Sequence, residues 1–151
     1  MVALLQRVRH ASVQVGAATV ASIGPGMLIL LGVHEADTEE EVAWLARKCT
    51  HLRIFPDADG RMNRSIRETG GEALVVSQFT LYGDVARGNR PSFDRAAGPG
   101  KAETLYGLFL ERLDELLVPP VRSGIFGAMM DVELTNDGPV TLWIERLHAE
   151  S

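Results

Sequence analysis

Two short segments place polar or conformationally special residues inside apolar strand patterns. The segment Ser77-Gln78-Phe79-Thr80-Leu81 adds two hydroxyls and an amide to one apolar stretch. The segment Asn136-Asp137-Gly138-Pro139-Val140-Thr141 places a proline where another strand pattern begins. Proline removes a strand N–H and needs a sheet edge, a strand start or an unusual peptide geometry, while glycine permits backbone shapes closed to other residues. The Gly138-Pro139 pair could therefore present its carbonyls to a ligand.

Ser77 and Thr80 are the candidate nucleophiles of the first segment. A hydroxyl nucleophile needs an activating base, but Ser77 lacks the glycine-flanked turn of the α/β hydrolases and has no histidine or acid near it in sequence. A base could still approach through the fold. The plain structural interpretation is a strand with alternate side chains in solvent, and for residues 136–139 a hairpin turn, because Asp-Gly is a common turn pair. On these residues alone the functional and structural interpretations both stay open.

The sequence gives no support for a metal or a cofactor. Its histidines are scattered without the spacing of a ligand set. The pattern Asp57-x-Asp59-Gly60 lacks the acid that closes a calcium loop, so a turn explains it better. There is no Gly-x-x-x-x-Gly-Lys phosphate loop, so hydrolysis of nucleoside triphosphates is unsupported. We expect neither metal nor cofactor. The histidines are His10, His34, His51 and His148.

Length and composition predict one domain over residues 1–151. The 151 residues are 46% hydrophobic and 23% charged, which suits a globular chain with its own core. No apolar run approaches the roughly 20 residues of a membrane helix, and the beginning of the chain has no leader pattern. Cys49 has no partner for an internal disulfide, so we expect a cytoplasmic protein without a membrane partner. The net charge of -5 weakens any general attraction to nucleic acid, although arginines concentrate in two polar loops. These are Arg61, Arg64, Arg67, Arg87, Arg90 and Arg95.

Hydrophobic periodicity predicts a mixed α/β protein dominated by strands. Thr38 and Glu41 match a capping box at the start of a helix that reaches about His51, and Pro99 begins a second helix. The stretch 83–98 is too polar for the core and predicts a functional loop. We expect the two helices to cover a curved, mostly antiparallel or mixed sheet that closes toward a β-barrel. The predicted strands are 2–15, 18–23, 27–33, 54–55, 73–81, 121–125, 129–134 and 140–147.

Longer motifs resemble those of the D-aminoacyl-tRNA deacylases over nearly the whole chain. The resemblance begins at Leu5-Gln6-Arg7-Val8 and continues through Ile23-Gly24-Pro25-Gly26. It sharpens in four long motifs that keep the order and spacing of the family. They are Ser77-Gln78-Phe79-Thr80-Leu81-Tyr82, Gly88-Asn89-Arg90-Pro91-Ser92-Phe93, Gly124-Ile125-Phe126-Gly127-Ala128-Met129-Met130 and Asn136-Asp137-Gly138-Pro139-Val140-Thr141.

The resemblance implies a homodimer of barrel-like subunits that hydrolyses the ester bond of D-aminoacyl-tRNA in translation quality control. Each active site is expected at the interface, where Gly138 and Pro139 of the other subunit, joined by a cis peptide, form the chiral filter. Arg7 resembles the family residue that braces this pair. The remaining site residues that the resemblance implies are Ser77, Gln78, Phe79 and Thr80 in catalysis, and Phe126, Met130, Asn136 and Thr141 in support or substrate binding.

A filter built from backbone atoms reads the handedness at Cα and leaves the amino-acid side chain unconstrained. Glycine has no side chain, so we expect glycyl-tRNA to be hydrolysed as well. Backbone N–H groups near Phe79 and Thr80 would stabilise the oxyanion, at roughly 3 to 4 kcal/mol per donor. The 2′-hydroxyl of the substrate ribose would assist the attack, so no protein nucleophile is needed. The negative net charge fits binding concentrated on the acceptor end of the tRNA.

Two other function classes remain possible at this point. A small serine or threonine esterase would use Ser77 or Thr80, but it needs a base that the spacing does not reveal. A non-catalytic RNA-binding module would use the arginine-rich loop, but it gives no reason for a glycine-proline pair beside a polar strand. Release of amino acid from matched D- and L-aminoacyl-tRNA separates the three classes.

Overall fold

The structure, a computed structural model, describes residues 1–149. Within this range the chain forms eight strands, three α-helices and one 3-10 turn, Phe79–Tyr82. The strands are β1 Val2–Val15, β2 Ala18–Ile23, β3 Gly26–Gly32, β4 Phe55–Pro56, β5 Met62–Arg64, β6 Glu72–Ser77, β7 Arg122–Ser123 and β8 Asp131–Glu145. The helices are α1 Glu39–His51, α2 Ile66–Thr69 and α3 Pro99–Leu116.

The long strand β1 organises the main sheet. Along one edge it pairs antiparallel with β3 through its first half and with β2 through its second half. Along its other edge it pairs antiparallel with β8. The strands β3, β6 and β7 continue the sheet in parallel, and β2 also contacts β6 and β7, so the sheet curves back on itself. The prediction of a strand-dominated, mixed sheet that closes toward a barrel is confirmed.

The main core lies between the sheet and the two long helices. The run 27–33 is largely buried on both faces of the sheet, as expected for a central strand, and the observed strand β3 is Gly26–Gly32. On the helix side, Leu5 and Ile29 pack with Leu45 of α1 and Phe109 of α3. A second core on the opposite face contains Val13, Leu28 and Leu74. The sheet is therefore held by apolar burial on both sides.

Both predicted helices are confirmed, and local signals explain where they begin. Thr38 caps α1 through its side chain, and the Glu41 carboxylate accepts a hydrogen bond from the Thr38 N–H at 2.7 Å. Pro99 lies in the first turn of α3, where a missing N–H costs nothing. The short α2 is an element that periodicity missed, although Ser65 and Glu68 form a capping box there. None of the helices within residues 1–149 is long and apolar enough to cross a membrane.

The predicted strand 73–81 is wrong beyond Ser77. The Gln78 N–H donates a last ladder hydrogen bond of 2.7 Å to the Leu31 carbonyl, and the chain then enters the 3-10 turn. The Gly83 N–H closes that turn on the Thr80 carbonyl at 2.9 Å. The bend carries Phe79 and Thr80 out to the surface. The predicted strand 121–125 is likewise reduced to the two residues of β7.

The two predicted strands 129–134 and 140–147 are one strand, β8. The prediction of a turn at Asn136 is wrong, because both halves of β8 pair with β1 in the same direction. Between Gln6, which lies opposite Thr141, and Val8, which lies opposite Asn136, the register shifts. Two steps on β1 therefore correspond to five on β8. The extra residues form a bulge, and we call residues 136–140 the β8 bulge.

Candidate active site

The four residues predicted for catalysis lie together where β6 ends. Ser77 is the last residue of β6, and Gln78 begins the 3-10 turn that contains Phe79 and Thr80. Ser77 and Gln78 are half-buried, while Phe79 and Thr80 are exposed. The Gln78 side-chain amide donates a hydrogen bond of 3.1 Å to the Thr80 hydroxyl. We call residues 77–80 the polar segment.

The backbone of the polar segment can stabilise negative charge. In a 3-10 turn the first N–H groups have no acceptor inside the turn, and here they belong to Phe79 and Thr80. Donors of this kind stabilise the oxyanion that develops when water attacks an ester, because they need no reorganisation during the reaction. The polar segment therefore has the chemistry of an oxyanion site for acyl transfer.

The side chains of the polar segment do not form a catalytic triad. The hydrogen bond that the Thr80 hydroxyl makes is with Gln78, and within residues 1–149 neither Ser77 nor Thr80 bonds to a histidine or a carboxylate. The same part of the chain contains no group of three or more His, Cys, Asp or Glu side chains placed to hold a metal ion. The geometry thus supplies hydrogen-bond donors and acceptors at this site.

A mostly apolar cavity of about 480 Å³ adjoins the polar segment. Its walls include Ser77 and Phe79 on one side and the start of α3, with Pro99 and Ala102, on another. Residues 126–130, between β7 and β8, form a third wall. A cavity of this size and lining suits a small organic group held by apolar contacts and oriented by a few polar ones.

Phe126 and Met130, both predicted as site residues, line this cavity. Tyr106 of α3 supports the Phe126 ring at a centroid distance of 5.9 Å. The Tyr106 hydroxyl donates a hydrogen bond of 3.0 Å to the Val75 carbonyl, and burial raises the pKa of this phenol to about 12. Tyr106 therefore stays neutral and acts as a fixed support for the cavity wall.

The β8 bulge is closed by the side chain of Asn136. Its Oδ1 accepts a hydrogen bond of 2.7 Å from the Val140 N–H, and its Nδ2 donates to the Val140 carbonyl at 3.2 Å. The same Nδ2 donates to the Thr141 hydroxyl at 3.0 Å. The Asn136 amide thus replaces the strand neighbour that Val140 lacks inside the bulge. Asn136 and Thr141 thus contact each other at the base of the bulge, and their expected role in support or substrate binding stays a prediction.

Gly138 and Pro139 lie exposed at the tip of the bulge and are joined by a cis peptide. The φ of Gly138 is 142°, a backbone conformation that L side chains rarely adopt. A Cβ placed there would lie 2.9 Å from the Val140 nitrogen and 3.2 Å from Arg7 Nη2. Both the conformation and the space therefore require glycine at this position.

Arg7 braces the bulge from the neighbouring strand. Its Nε donates a hydrogen bond of 2.9 Å to the Asp137 carbonyl, and its Nη1 donates one of 2.6 Å to the Ile54 carbonyl. The Asp137 carboxylate lies 3.6 Å from Arg7 Nε and 3.3 Å from the exposed Arg9. These two hydrogen bonds are the contacts through which Arg7 would brace the Gly138-Pro139 pair.

Within one chain the bulge lies far from the polar segment. Asn136 lies opposite Val8 of β1, whereas Ser77 lies opposite Leu31 of β3, which in turn lies opposite Ala3 of β1. Measured along the sheet, the two sites are separated by three strand spacings, about 14 Å, and by five positions along β1, about 17 Å, or roughly 20 Å in all. Neither Gly138 nor Pro139 lines the cavity beside the polar segment of its own chain.

Some residues of this region are not identified by sequence reasoning. Phe93, which lines the cavity, belongs to one of the long motifs, but the motif alone gives it no role. The small side chains of Ala96, Ala97, Pro99 and Ala102 carry no chemical signal. Tyr106 and Asp137 act through contacts that depend on the fold. The sequence signal for Phe93 is an aromatic residue at the end of a family motif in a polar loop.

Comparisons with known proteins identify the family of this chain. A family model described as D-Tyr-tRNA(Tyr) deacylase matches residues 4–145. A protein of Salinibacter ruber named D-aminoacyl-tRNA deacylase is 61% identical, with 97% of each chain covered. A protein of the same name from Akkermansia muciniphila is 55% identical, with 94% of this chain and 95% of the relative covered.

Two solved structures share the fold. One, described as c-Myc DNA Unwinding Element Binding Protein, has a TM-score of 0.93 and 41% identity, with 98% of this chain and 100% of that chain covered. The other, described as a probable eukaryotic D-amino acid tRNA deacylase, has a TM-score of 0.81, with 95% of this chain and 97% of that chain covered. Because the two sequences are only 17% identical, this likeness supports the fold and nothing further.

Proposed function

The chain belongs to the D-Tyr-tRNA(Tyr) deacylase family and is a D-aminoacyl-tRNA deacylase, and we propose that its active site combines the polar segment of one protomer with the β8 bulge of a second. The polar segment stabilises the hydrolysis of the ester. The bulge admits D-aminoacyl and rejects L-aminoacyl groups.

The observation that carries this proposal is the separation of the two halves of the site. Gly138 and Pro139 lie roughly 20 Å along the sheet from Ser77, on a long strand whose outer edge pairs with nothing within residues 1–149. Both residues are exposed, and hydrogen bonds between Asn136 and Val140 and between Arg7 and Asp137 hold the backbone on either side of them. An exposed tip that does not line the cavity of its own chain is suited to completing the active site of a second copy.

A twofold axis gives both protomers the same role. In a symmetric dimer, if the bulge of one protomer reaches the cavity of its partner, the partner's bulge reaches the first cavity as well. The dimer then has two equivalent sites, each with groups from both chains. The free edge of β8, with the half-exposed Trp143 beside it, offers surface that such an association would cover.

Backbone atoms in the bulge suit a chiral filter. The carbonyls of Gly138 and Pro139 would accept hydrogen bonds from the α-ammonium of the substrate. With that group and the ester fixed, an L side chain points into the bulge and a D side chain points away from it. Recognition of this kind depends on Cα alone, so D-amino acids of different size are accepted. Glycine has no side chain to exclude, and glycyl-tRNA is therefore a substrate.

The polar segment carries out the hydrolysis without a covalent intermediate. The N–H groups of Phe79 and Thr80 hold the developing oxyanion, and Ser77, Gln78 and Thr80 orient the ester and the terminal adenosine by hydrogen bonds. The 2′-hydroxyl of the terminal ribose assists the attacking water. Phe126 and Met130 line the cavity that receives the substrate end.

The acceptor end of the tRNA is the part of the substrate that this surface can engage. The chain carries a net charge of -5, so a broad electrostatic grip on the tRNA body has little support. Arg87 and Arg90, both exposed in the loop beside the cavity, provide local positive charge instead. This arrangement concentrates binding near the ester.

The proposal is tested with tRNA charged in turn with D-tyrosine, L-tyrosine and glycine. We expect release of D-tyrosine and glycine, and retention of L-tyrosine. Release of both tyrosine enantiomers, together with cleavage of simple esters, would identify a general esterase instead. Binding of all three without release would identify a non-catalytic RNA-binding module.

A further inference from the structure

Two aromatic rings stand exposed at the mouth of the cavity. Phe79 of the polar segment is 55% exposed, and Phe93 of the loop 83–98 is 36% exposed. Their ring centroids are 5.1 Å apart, and their planes meet at 69°. Both rings line the cavity, yet each keeps a large part of its surface in solvent. An edge-to-face pair of this kind leaves one ring face open for a flat partner.

The position of Phe93 is fixed by its loop. Asp84 and Ser92 exchange two backbone hydrogen bonds, of 2.7 and 2.9 Å, which close the loop just before Phe93. The ring of Phe93 packs on Gly83, where a Cβ would approach it to 3.1 Å. The ring therefore does not need to be ordered when a ligand arrives, and this lowers the entropic cost of binding.

The loop that carries Phe93 also provides positive charge. Within residues 1–149, Arg87, Arg90 and Arg95 form no ion pair, and Arg87 and Arg90 are exposed on the same loop. Arg95 lies over the Tyr82 ring at 5.7 Å. Proteins that bind single-stranded nucleic acid commonly place aromatic rings beside arginines, because bases stack on the rings and phosphates pair with the guanidinium groups.

We propose that Phe93, with Phe79 at its edge, is a stacking platform for the nucleobase of the penultimate nucleotide of the tRNA. This inference rests on the proposed function, in which the cavity takes the terminal adenosine with its ester. The base that precedes the adenosine remains outside the cavity and meets the rings at its mouth. Stacking accepts any base, so the platform adds affinity for the unpaired 3′ end without selecting among tRNAs.

The test compares an intact D-tyrosyl-tRNA with the same tRNA made abasic at the penultimate nucleotide. Single-turnover deacylation over a range of enzyme concentrations gives the apparent affinity and the limiting rate separately. For the wild-type protein, loss of the base should weaken affinity by roughly 5- to 150-fold, the range expected for one stacked base, and leave the limiting rate unchanged.

Two substitutions of Phe93 and one distant control complete the design. Phe93→Leu keeps an apolar side chain on Gly83 but removes the aromatic face. This variant should bind intact tRNA as weakly as the wild type binds abasic tRNA, and it should bind abasic tRNA no more weakly than that. Phe93→Tyr keeps the face and should behave as wild type. Val118→Ala changes a residue that is 94% exposed beyond α3 and should have no effect.

The outcomes distinguish this inference from the proposed function. The platform is disproved, and the proposed function stands, if the wild-type protein hydrolyses D-tyrosyl-tRNA but binds the abasic tRNA with unchanged affinity. The same holds if the affinity losses caused by Phe93→Leu and by the abasic site multiply. If Phe93→Leu weakens dimer association without any coupling to the abasic site, Phe93 is an interface residue and the platform is again disproved. If neither tRNA is hydrolysed, both proposals fail together.

Discussion

The Arg7 guanidinium donates a hydrogen bond of 2.9 Å from Nε to the backbone carbonyl of Asp137. Through Nη1 the same group holds the Ile54 carbonyl, so one side chain of β1 ties the β8 bulge to the segment that follows α1. The Arg7 side chain is only 12% exposed, which limits its freedom to move. The orientation of Gly138 and Pro139 therefore depends on a planar group with two donors in fixed directions.

Arg7→Lys should impair deacylation far more than folding. A lysine ammonium keeps the charge but cannot donate along both directions, so the bulge loses one of its two ties. We expect kcat/KM for D-tyrosyl-tRNA to fall roughly 10- to 100-fold, because small displacements of positioning groups have effects of this order. Arg9→Lys is the matched control, since Arg9 contacts the same aspartate from an exposed position. Equal losses in the two variants, measured by steady-state kinetics, would contradict the bracing role.

Gly138→Ala should damage the filter. The new Cβ would lie 2.8 Å from Val140 Cγ2 and 2.9 Å from the Val140 nitrogen, so the bulge must shift. We expect roughly a 100-fold loss of kcat/KM for D-tyrosyl-tRNA. Gly60→Ala is the control, because Gly60 also has a positive φ, of 79°, but nothing lies within 4 Å of its Cβ position. That variant should lose about 1 kcal/mol of stability and no activity.

Local signals explain why much of the fold is predictable from the sequence. The alternation of residues 2–15 and the cap formed by Thr38 and Glu41 both act within a few residues, and both elements are found as expected. The prediction of a strand over 73–81 fails because the apolar residues continue past Ser77. The turn that follows is closed by backbone hydrogen bonds and lies against Gly32 of β3, and no apolar pattern encodes these contacts. Pattern reasoning therefore loses accuracy where an element ends for tertiary reasons.

The candidate site shows the same division. The residues of the polar segment and the Gly138-Pro139 pair are visible in sequence because polar and special residues interrupt apolar patterns. The interruption at Asn136 suggests a turn, yet the pairing with β1 is non-local and the Asn136 amide replaces the missing strand contacts, so β8 continues. The cavity is not predictable, since its walls come from three distant parts of the chain.

Thr80→Ala should keep most of the activity. The Thr80 hydroxyl accepts a hydrogen bond from Gln78 and lies in an exposed turn, so its loss removes a positioning contact and leaves the backbone N–H in place. Such a contact is worth about 1 kcal/mol, and we expect less than about a tenfold fall in kcat/KM. Ser77→Ala should behave similarly. Mass spectrometry of the quenched reaction should show unmodified protein, and an acyl ester on either hydroxyl would establish covalent catalysis instead.

Glu41 should make folding sensitive to acid. Burial alone raises the pKa of its carboxyl, but hydrogen bonds from the Thr38 side chain and N–H and from His148 outweigh burial and lower the pKa from 4.5 to about 2. Because the folded-state pKa is the lower one, this stabilisation is complete above pH 4.5 and is lost as the pH falls through about 2. A shift of this size corresponds to roughly 3 kcal/mol at most.

Denaturant unfolding of Glu41→Gln checks this linkage. At pH 7 the variant should be less stable than the wild type by roughly 1 to 3 kcal/mol, and the difference should shrink below pH 4.5 and disappear near pH 2. Glu39→Gln is the control, because Glu39 lies in the same first turn of α1 but is exposed. A stability difference that stays constant with pH would show that the Glu41 carboxylate is not the titrating group.

Heterodimers with one altered site each test whether the active site is shared between protomers. Gly138→Ala damages the bulge, and Ala128→Trp fills the cavity from a loop, so the homodimer of each variant should lose most of the wild-type rate with D-tyrosyl-tRNA. A heterodimer of the two single variants keeps one intact bulge facing one intact cavity and should have about half of the wild-type rate per dimer. A heterodimer of wild type with the double variant has no intact pair and should be inactive. If each chain instead used its own bulge, the two heterodimers would exchange these results, so rates measured on pairs purified through two different tags decide between the arrangements.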